Sequence, residues 1–172
     1  METRNSMETM NSKNQPRFYV AYGSNIPEDQ MAMRCPDARL VGTAILRDWQ
    51  LLFRGVATIE KHKRRNTPVV VWEISEEDEK HLDVYEGYPH LYYKKMVRVE
   101  VFPIEGGNAR WMDAMVYIMQ DSFPLAEPTP GYFKVIYDGY KAFHFPRHVL
   151  RQALEESLDD VRAASFLERN GY

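Results

Sequence analysis

The run Arg17-Phe18-Tyr19-Val20-Ala21-Tyr22 is aromatic and β-branched and stops abruptly at Gly23, the pattern of a buried strand feeding a tight loop. Past Gly23-Ser24-Asn25-Ile26, Pro27 suits a first helical position, and Glu28 and Asp29 complement the positive helix end. A short helix is predicted to about Arg34, before Pro36. Between Arg39 and Ile59 the apolar spacing predicts strands over Leu40 to Leu46, Trp49 to Phe53 and Val56 to Ile59, with turns at Asp48 and Gly55. The continuous apolar run from Pro68 to Ile74 predicts a central strand. Ser75 followed by Glu76, Glu77 and Asp78 is an N-cap with an acidic first turn, so a helix should run from Glu76 to Tyr85 and end at Gly87 and Pro89.

Val97, Val99 and Val101 alternate with Arg98 and Glu100, which marks a strand with one buried face. Glu105-Gly106-Gly107-Asn108 turns the chain into an antiparallel partner, Trp111 to Met119. After a proline-rich loop, Thr129-Pro130 opens a helix through Tyr140, and Pro146 opens another to about Leu158. Strands first and helices last predict an α+β fold, a curled mixed β-sheet or partial barrel with packing helices, as one domain over residues 16–172.

Composition narrows the function classes. The 172 residues carry 44% hydrophobic and 13% aromatic side chains, enough for a sizeable core, and 27% charged residues for solubility. A net charge of −3 gives no global reason to expect a nucleic acid or an anionic membrane as partner. The lone Cys35 excludes an intrachain disulfide framework and a multi-cysteine zinc site, and reads as a packing residue. Residues 1–15 are polar, hold Met7 and Met10 as alternative starts, and read as a disordered leader. With no apolar stretch of membrane-spanning length, a cytoplasmic protein is expected.

The loop after the first strand is the first candidate site. Gly23 lets the backbone turn close to a ligand, and the N–H groups of Ser24, Asn25 and Ile26 could hold a carboxylate or oxyanion; a plain strand-to-helix turn with Asn25 as a local cap fits the same residues. A Walker-type phosphate loop is excluded by the missing second glycine and lysine. Ser24 lacks a nucleophile-elbow context. The histidines at 62, 81, 90, 144 and 148 form no metal pattern, because Pro146 interrupts the His144/His148 pair. Lys61 to Arg65 is the one basic run, read as a solvated hairpin loop. Glu86 ends a helix amid apolar and aromatic neighbours, and both circumstances raise a carboxyl pKa toward that of a general base; a surface glutamate is the competing reading.

In combination, these blocks resemble the gamma-glutamylcyclotransferase-like family, including its AIG2-like members, from about Phe18 to Leu154. The resemblance rests on Phe18 to Asn25, Arg34 to Ala38, Ala57 to Ile59, Val71 to Ile74, Leu82 to Pro89 and Pro128 to Tyr132. It implies that Tyr22, Gly23, Ser24 and Asn25 cradle the glutamyl part of a γ-glutamyl small molecule, that Glu86 is the catalytic base, and that Tyr132 lines the pocket. It further implies release of 5-oxoproline without a cofactor or metal, and a homodimer. The departures are Thr129 in place of a serine, the basic Lys61 to Arg65 run, and Val69-Val70-Val71 where a glycine is common. Two other functions fit the same resemblance: removal of a γ-glutamyl protecting group in a dedicated pathway, and a non-catalytic binding module.

Overall fold

Five strands form one sheet that curls until its two ends meet. The computed structural model describes residues 15–172, with β1 (Arg17–Ala21), α1 (Glu28–Arg34), β2 (Arg39–Arg54), β3 (Val56–Ile74) and α2 (Glu76–Tyr85) in its first half. The second half holds β4 (Tyr92–Pro103), β5 (Arg110–Met119), α3 (Pro130–Ala142), α4 (His148–Ser157) and α5 (Asp160–Arg169). The strand order is β1-β3-β2-β4-β5 in a closed barrel. Neighbours are antiparallel except at the closure, where Tyr19 of β1 meets Met115 of β5 in parallel. The partial barrel expected from sequence is therefore complete. The leader expected over residues 1–15 lies outside the described residues but for Gln15.

The central position of Pro68 to Ile74 is as expected. Val70 pairs with Ala21 on one side and Thr43 on the other, and Val69, Val70 and Val71 are fully buried. The preceding stretch corrects the sequence reading. Trp49 pairs with Lys61 and Arg47 with Asn66, so the ladder runs on either side of a bulge in which Asp48 faces His62 to Arg65. Asp48 and Arg64 both take left-handed backbone, and the Arg64 N–H donates to Asp48 Oδ1 at 3.0 Å. A carboxylate that caps the bulge lets both strands continue, so the expected turn at Asp48 and hairpin loop at Lys61 to Arg65 are one irregularity within two long strands.

Two glycines allow approaches that no other residue would. A Cβ on Gly42 would lie 2.1 Å from the Phe102 carbonyl oxygen, where β2 crosses β4, and one on Gly139 would lie 2.6 Å from Ile26 Cγ2. The second contact seats α3 directly on the loop after β1. Helix α2 begins as expected, with Ser75 and Asp78 forming a reciprocal capping box. Helix α1 starts one residue later than expected, with Pro27 as its cap.

Helix α5 is absent from the sequence reading, although its signals are present. Asp159 accepts from the Arg162 N–H at 2.8 Å, and Ala163, Phe166 and Leu167 are buried at helical spacing. Phe166 packs edge-on to Phe133 at 5.1 Å, a burial worth about 1.5–3 kcal/mol for such a side chain. Cys35 is buried as a packing residue, and burial pushes its thiol up to about 12. Among the described residues, no helix is long and apolar enough to cross a membrane.

Candidate active site

A cavity of about 190 Å³ opens where β1 ends, and its walls include all six residues singled out from sequence: Tyr22, Gly23, Ser24, Asn25, Glu86 and Tyr132. They arrive from three places: the loop between β1 and α1, the residue that caps the C-terminus of α2, and the first turn of α3. Thr129 caps α3 by accepting from the Tyr132 N–H at 3.3 Å, so the hydroxyl retained in place of serine does the capping. Capping fixes where Tyr132 enters, and its hydroxyl then accepts from the Ala57 N–H at 2.9 Å.

The loop is held from below by its own side chains. Asn25 Nδ2 donates to the Tyr19 hydroxyl at 3.0 Å, Trp72 Nε1 donates to the Asn25 carbonyl at 3.0 Å, and the Tyr22 hydroxyl donates to the Tyr117 carbonyl at 2.7 Å. The Ile26 N–H closes the turn onto the Gly23 carbonyl, which withdraws one of the three amides expected to face a ligand. Among the described residues, the N–H groups of Ser24 and Asn25 make no hydrogen bond. Two donors thus remain at a wall whose side chains are already committed.

Sequence reasoning missed the wall tyrosines Tyr19, Tyr85, Tyr92 and Tyr117, and it missed Arg34 beside the loop. Its guanidinium donates to Asn25 Oδ1 and to Ser24 Oγ, the latter at 3.3 Å, and lies over the Tyr85 ring at 3.8 Å. Arg34 is the last residue of α1, and its side chain reaches back to the loop that precedes the helix. Ser24 Oγ also meets the Tyr85 hydroxyl at 3.3 Å, so Ser24 is a lining group held by Arg34 and Tyr85.

Glu86 differs from the other polar side chains of the cavity, because among the described residues its carboxylate makes no hydrogen bond or ion pair. Burial pushes its carboxyl up to about 7, against the opposing pull of the Arg34 charge. Around it, the Tyr19, Tyr22, Tyr92 and Tyr132 hydroxyls are held protonated, first by burial and further by the Glu86 charge. A carboxylate raised to about 7, among neutral hydroxyls and in one cavity with two unused amides, can exchange a proton with a small polar ligand.

The Lys61 to Arg65 run contributes nothing to this cavity: none of it lines the walls, and Arg65 pairs with Glu156 at 2.8 Å. His144 has left-handed backbone and lies outside α4, whereas His148 begins it, so the two do not share a helix face. Among the described residues, no group of three or more His, Cys, Asp or Glu is arranged to hold a metal ion.

Fold and cavity together define a class of small α+β barrels with a glycine-led loop after the first strand and a carboxylate at a helix end. The chain belongs to the gamma-glutamyl cyclotransferase, AIG2-like family, whose pattern it matches over residues 19–140. It is 29% identical over 141 residues to the gamma-glutamylcyclotransferase of Homo sapiens, covering 75% of this chain and 72% of that protein. The Mus musculus gamma-glutamylcyclotransferase is likewise 29% identical over 142 residues, covering 76% and 73%. The solved structure of a gamma-glutamyl cyclotransferase superposes with a TM-score of 0.66 at 26% identity, covering 81% of this chain and 86% of that one.

Proposed function

We propose that the chain is a gamma-glutamylcyclotransferase-type enzyme in which Glu86 is the general base. The family and the named relatives support the reaction type. The observation that carries the assignment is the unpartnered Glu86 carboxylate, raised to about 7 by burial, in the same cavity as the Ser24 and Asn25 amides. At about 190 Å³ the cavity falls below the roughly 300–1,000 Å³ of pockets for larger ligands, which suits a glutamyl-sized group.

In this mechanism Glu86 takes a proton from the substrate α-ammonium, because only the free amine is nucleophilic. The amine nitrogen attacks the γ-carbonyl carbon of the same molecule and forms a five-membered ring with a tetrahedral oxyanion. Glu86 returns its proton to the original amide nitrogen as collapse breaks the bond between that nitrogen and the carbon, then takes the second proton from the ring nitrogen to leave the lactam N–H and passes it to the freed amine or amino acid, with 5-oxoproline as the second product. No water is consumed. The Ser24 and Asn25 N–H groups steady negative charge on the glutamyl end. Holding both reacting atoms of one molecule in the closing rotamer supplies much of the acceleration, since well-oriented intramolecular reactions gain about 7–11 kcal/mol.

The test is release of 5-oxoproline from a panel of γ-glutamyl amino acids, γ-glutamyl amines and glutathione, by the chain and by Glu86→Gln. Turnover of at least one substrate that disappears in Glu86→Gln supports the assignment. Turnover retained in Glu86→Gln removes Glu86 as the base, and no turnover across the panel removes the activity.

A further inference from the structure

Strands β2 and β4 pair only at Gly42↔Pro103 and Thr43↔Phe102, and beyond Thr43 they separate. Residues between Ile45 and Trp49 then face residues between Lys95 and Phe102 across a cavity of about 320 Å³, which shares no residue with the Glu86 pocket. Over this span β2 is laddered to β3 and β4 to β5 on their other edges, so the edges facing the groove have no partner strand among the described residues. Unpaired strand edges present rows of N–H and C=O groups ready to pair with another chain.

The side chains are those of an interface. Met96, Phe102 and Trp111 are 61%, 53% and 58% exposed and cluster at the groove. Clustered exposed aromatic and Met side chains, with Arg beside them, are the signature of contact surfaces. The charge is one-sided. Arg47, Lys61, Lys95 and Arg98 line the groove, with Glu100 the one carboxylate among its lining residues. Arg47 and Lys95 form no ion pair among the described residues, and Arg98 shares only an exposed pair with Asp113 at 3.3 Å.

We propose that this groove binds an extended, acidic polypeptide segment of another protein, which pairs with the free edge of β2 or β4 and seats an apolar side chain among Met96, Phe102 and Trp111. Backbone pairing supplies affinity in such strand addition, and side-chain pockets supply specificity. The four cations select carboxylates over basic partners. A nucleic acid fits less well: Glu100 and Asp113 stand among the cations, and Lys61 lies over the Trp49 ring at 4.4 Å, so that ring is not free to stack a base. A two-fold contact between copies of this chain would set the same cations against each other.

The test is fluorescence anisotropy of the full chain with a labelled peptide of alternating Glu and Val around a central Phe, about eight residues long to match a strand. The comparison probes are the same peptide with Lys for Glu, the acidic peptide N-methylated at alternate backbone positions, and an oligothymidylate of similar length. Saturable, salt-sensitive binding of the acidic peptide is expected. It should weaken about tenfold or more in the double variant Arg47→Glu/Arg98→Glu, in Trp111→Ala, and on backbone methylation. Each variant is checked for an unchanged melting temperature, which its exposed position favours. Equal binding of the Lys peptide, binding of the oligothymidylate alone, or affinity unchanged in the variants would overturn the proposal. So would a concentration-dependent dimer that Trp111→Ala abolishes while the peptide does not bind.

Discussion

Asp83 and Glu86 stand three residues apart at the end of α2, and their surroundings are opposite. Asp83 accepts from the Tyr117 hydroxyl at 2.5 Å and pairs with Lys94 at 2.7 Å, and Lys94 also reaches Glu79 at 2.7 Å. Glu79 in turn takes Arg17 at 2.5 Å. Glu86 has none of this. The α2 network is a saturated patch that ties the helix to β1 and β4, whereas Glu86 is left without a partner in a cavity of aromatic rings. Neighbouring carboxylates at one helix end are thus left paired or unpaired depending on whether the sheet behind them supplies a cation, and the proposed function gives the unpaired one the chemistry.

The contrast is sharpest in turnover. Glu86→Gln keeps the shape and removes the base, so 5-oxoproline release should fall about 10²–10⁴-fold with the fold intact. Asp83→Asn, the matched change three residues earlier, should lower turnover far less than it lowers stability. Equal losses of turnover in the two variants would erase the distinction. Arg34→Ala comes next. It frees the loop and removes the charge that opposes the rise in the Glu86 pKa, so kcat/KM should fall about 10–100-fold and the acidic limb of its pH profile should move up from about 7. A drop in kcat/KM with an unmoved limb would mean that Arg34 acts on the loop alone.

Stability supplies the smaller tests, and the two regions should respond to pH with opposite signs. For Glu79, burial raises the pKa, but hydrogen bonds from Lys94 and Arg17 outweigh it and hold the carboxyl below its usual 4.5. That contribution is present above 4.5 and is lost as pH falls through the lowered folded value. Lys94→Met should therefore destabilise by about 1–3 kcal/mol at neutral pH and by less in acid, measured by urea unfolding. Glu86 is raised, so its folded form prefers the proton. Below 4.5 it carries no penalty, and the penalty grows as pH rises from 4.5 to about 7. Glu86→Gln should accordingly stabilise the free protein by about 1–2 kcal/mol at pH 8, with the gain vanishing near pH 4, as followed by thermal unfolding. A variant less stable than wild type at pH 8 would show that Glu86 has a native partner.

Much of this molecule is legible along the chain, wherever the signal is local. The strand ending at Gly23, the Ser75 capping box, the Thr129-Pro130 helix start and the Val97–Val101 alternation each need only a few consecutive residues. The misread bulge falls where a distant partner decides. Asp48 and Lys61 to Arg65 look like two separate interruptions, and only the β2–β3 register makes them one bulge closed by the Arg64 N–H. Helix α5 escaped because Asp159 was not taken as a cap ahead of Ala163, Phe166 and Leu167, although the signal is local.

The sequence alone determined that Glu86 ends a helix and that a glycine-led loop follows the first strand, because capping and periodicity are properties of neighbouring residues. Its resemblance to a known family paired the two. Only the tertiary structure decided that loop, glutamate and Tyr132 line one cavity, that Arg34 clamps the loop, and that Asp83 receives a lysine while Glu86 receives none. The physical reason is that a carboxylate's proton affinity depends on what is packed within a few ångströms. In this chain those neighbours come from strands and helices far away in sequence, brought together by the closure of the barrel.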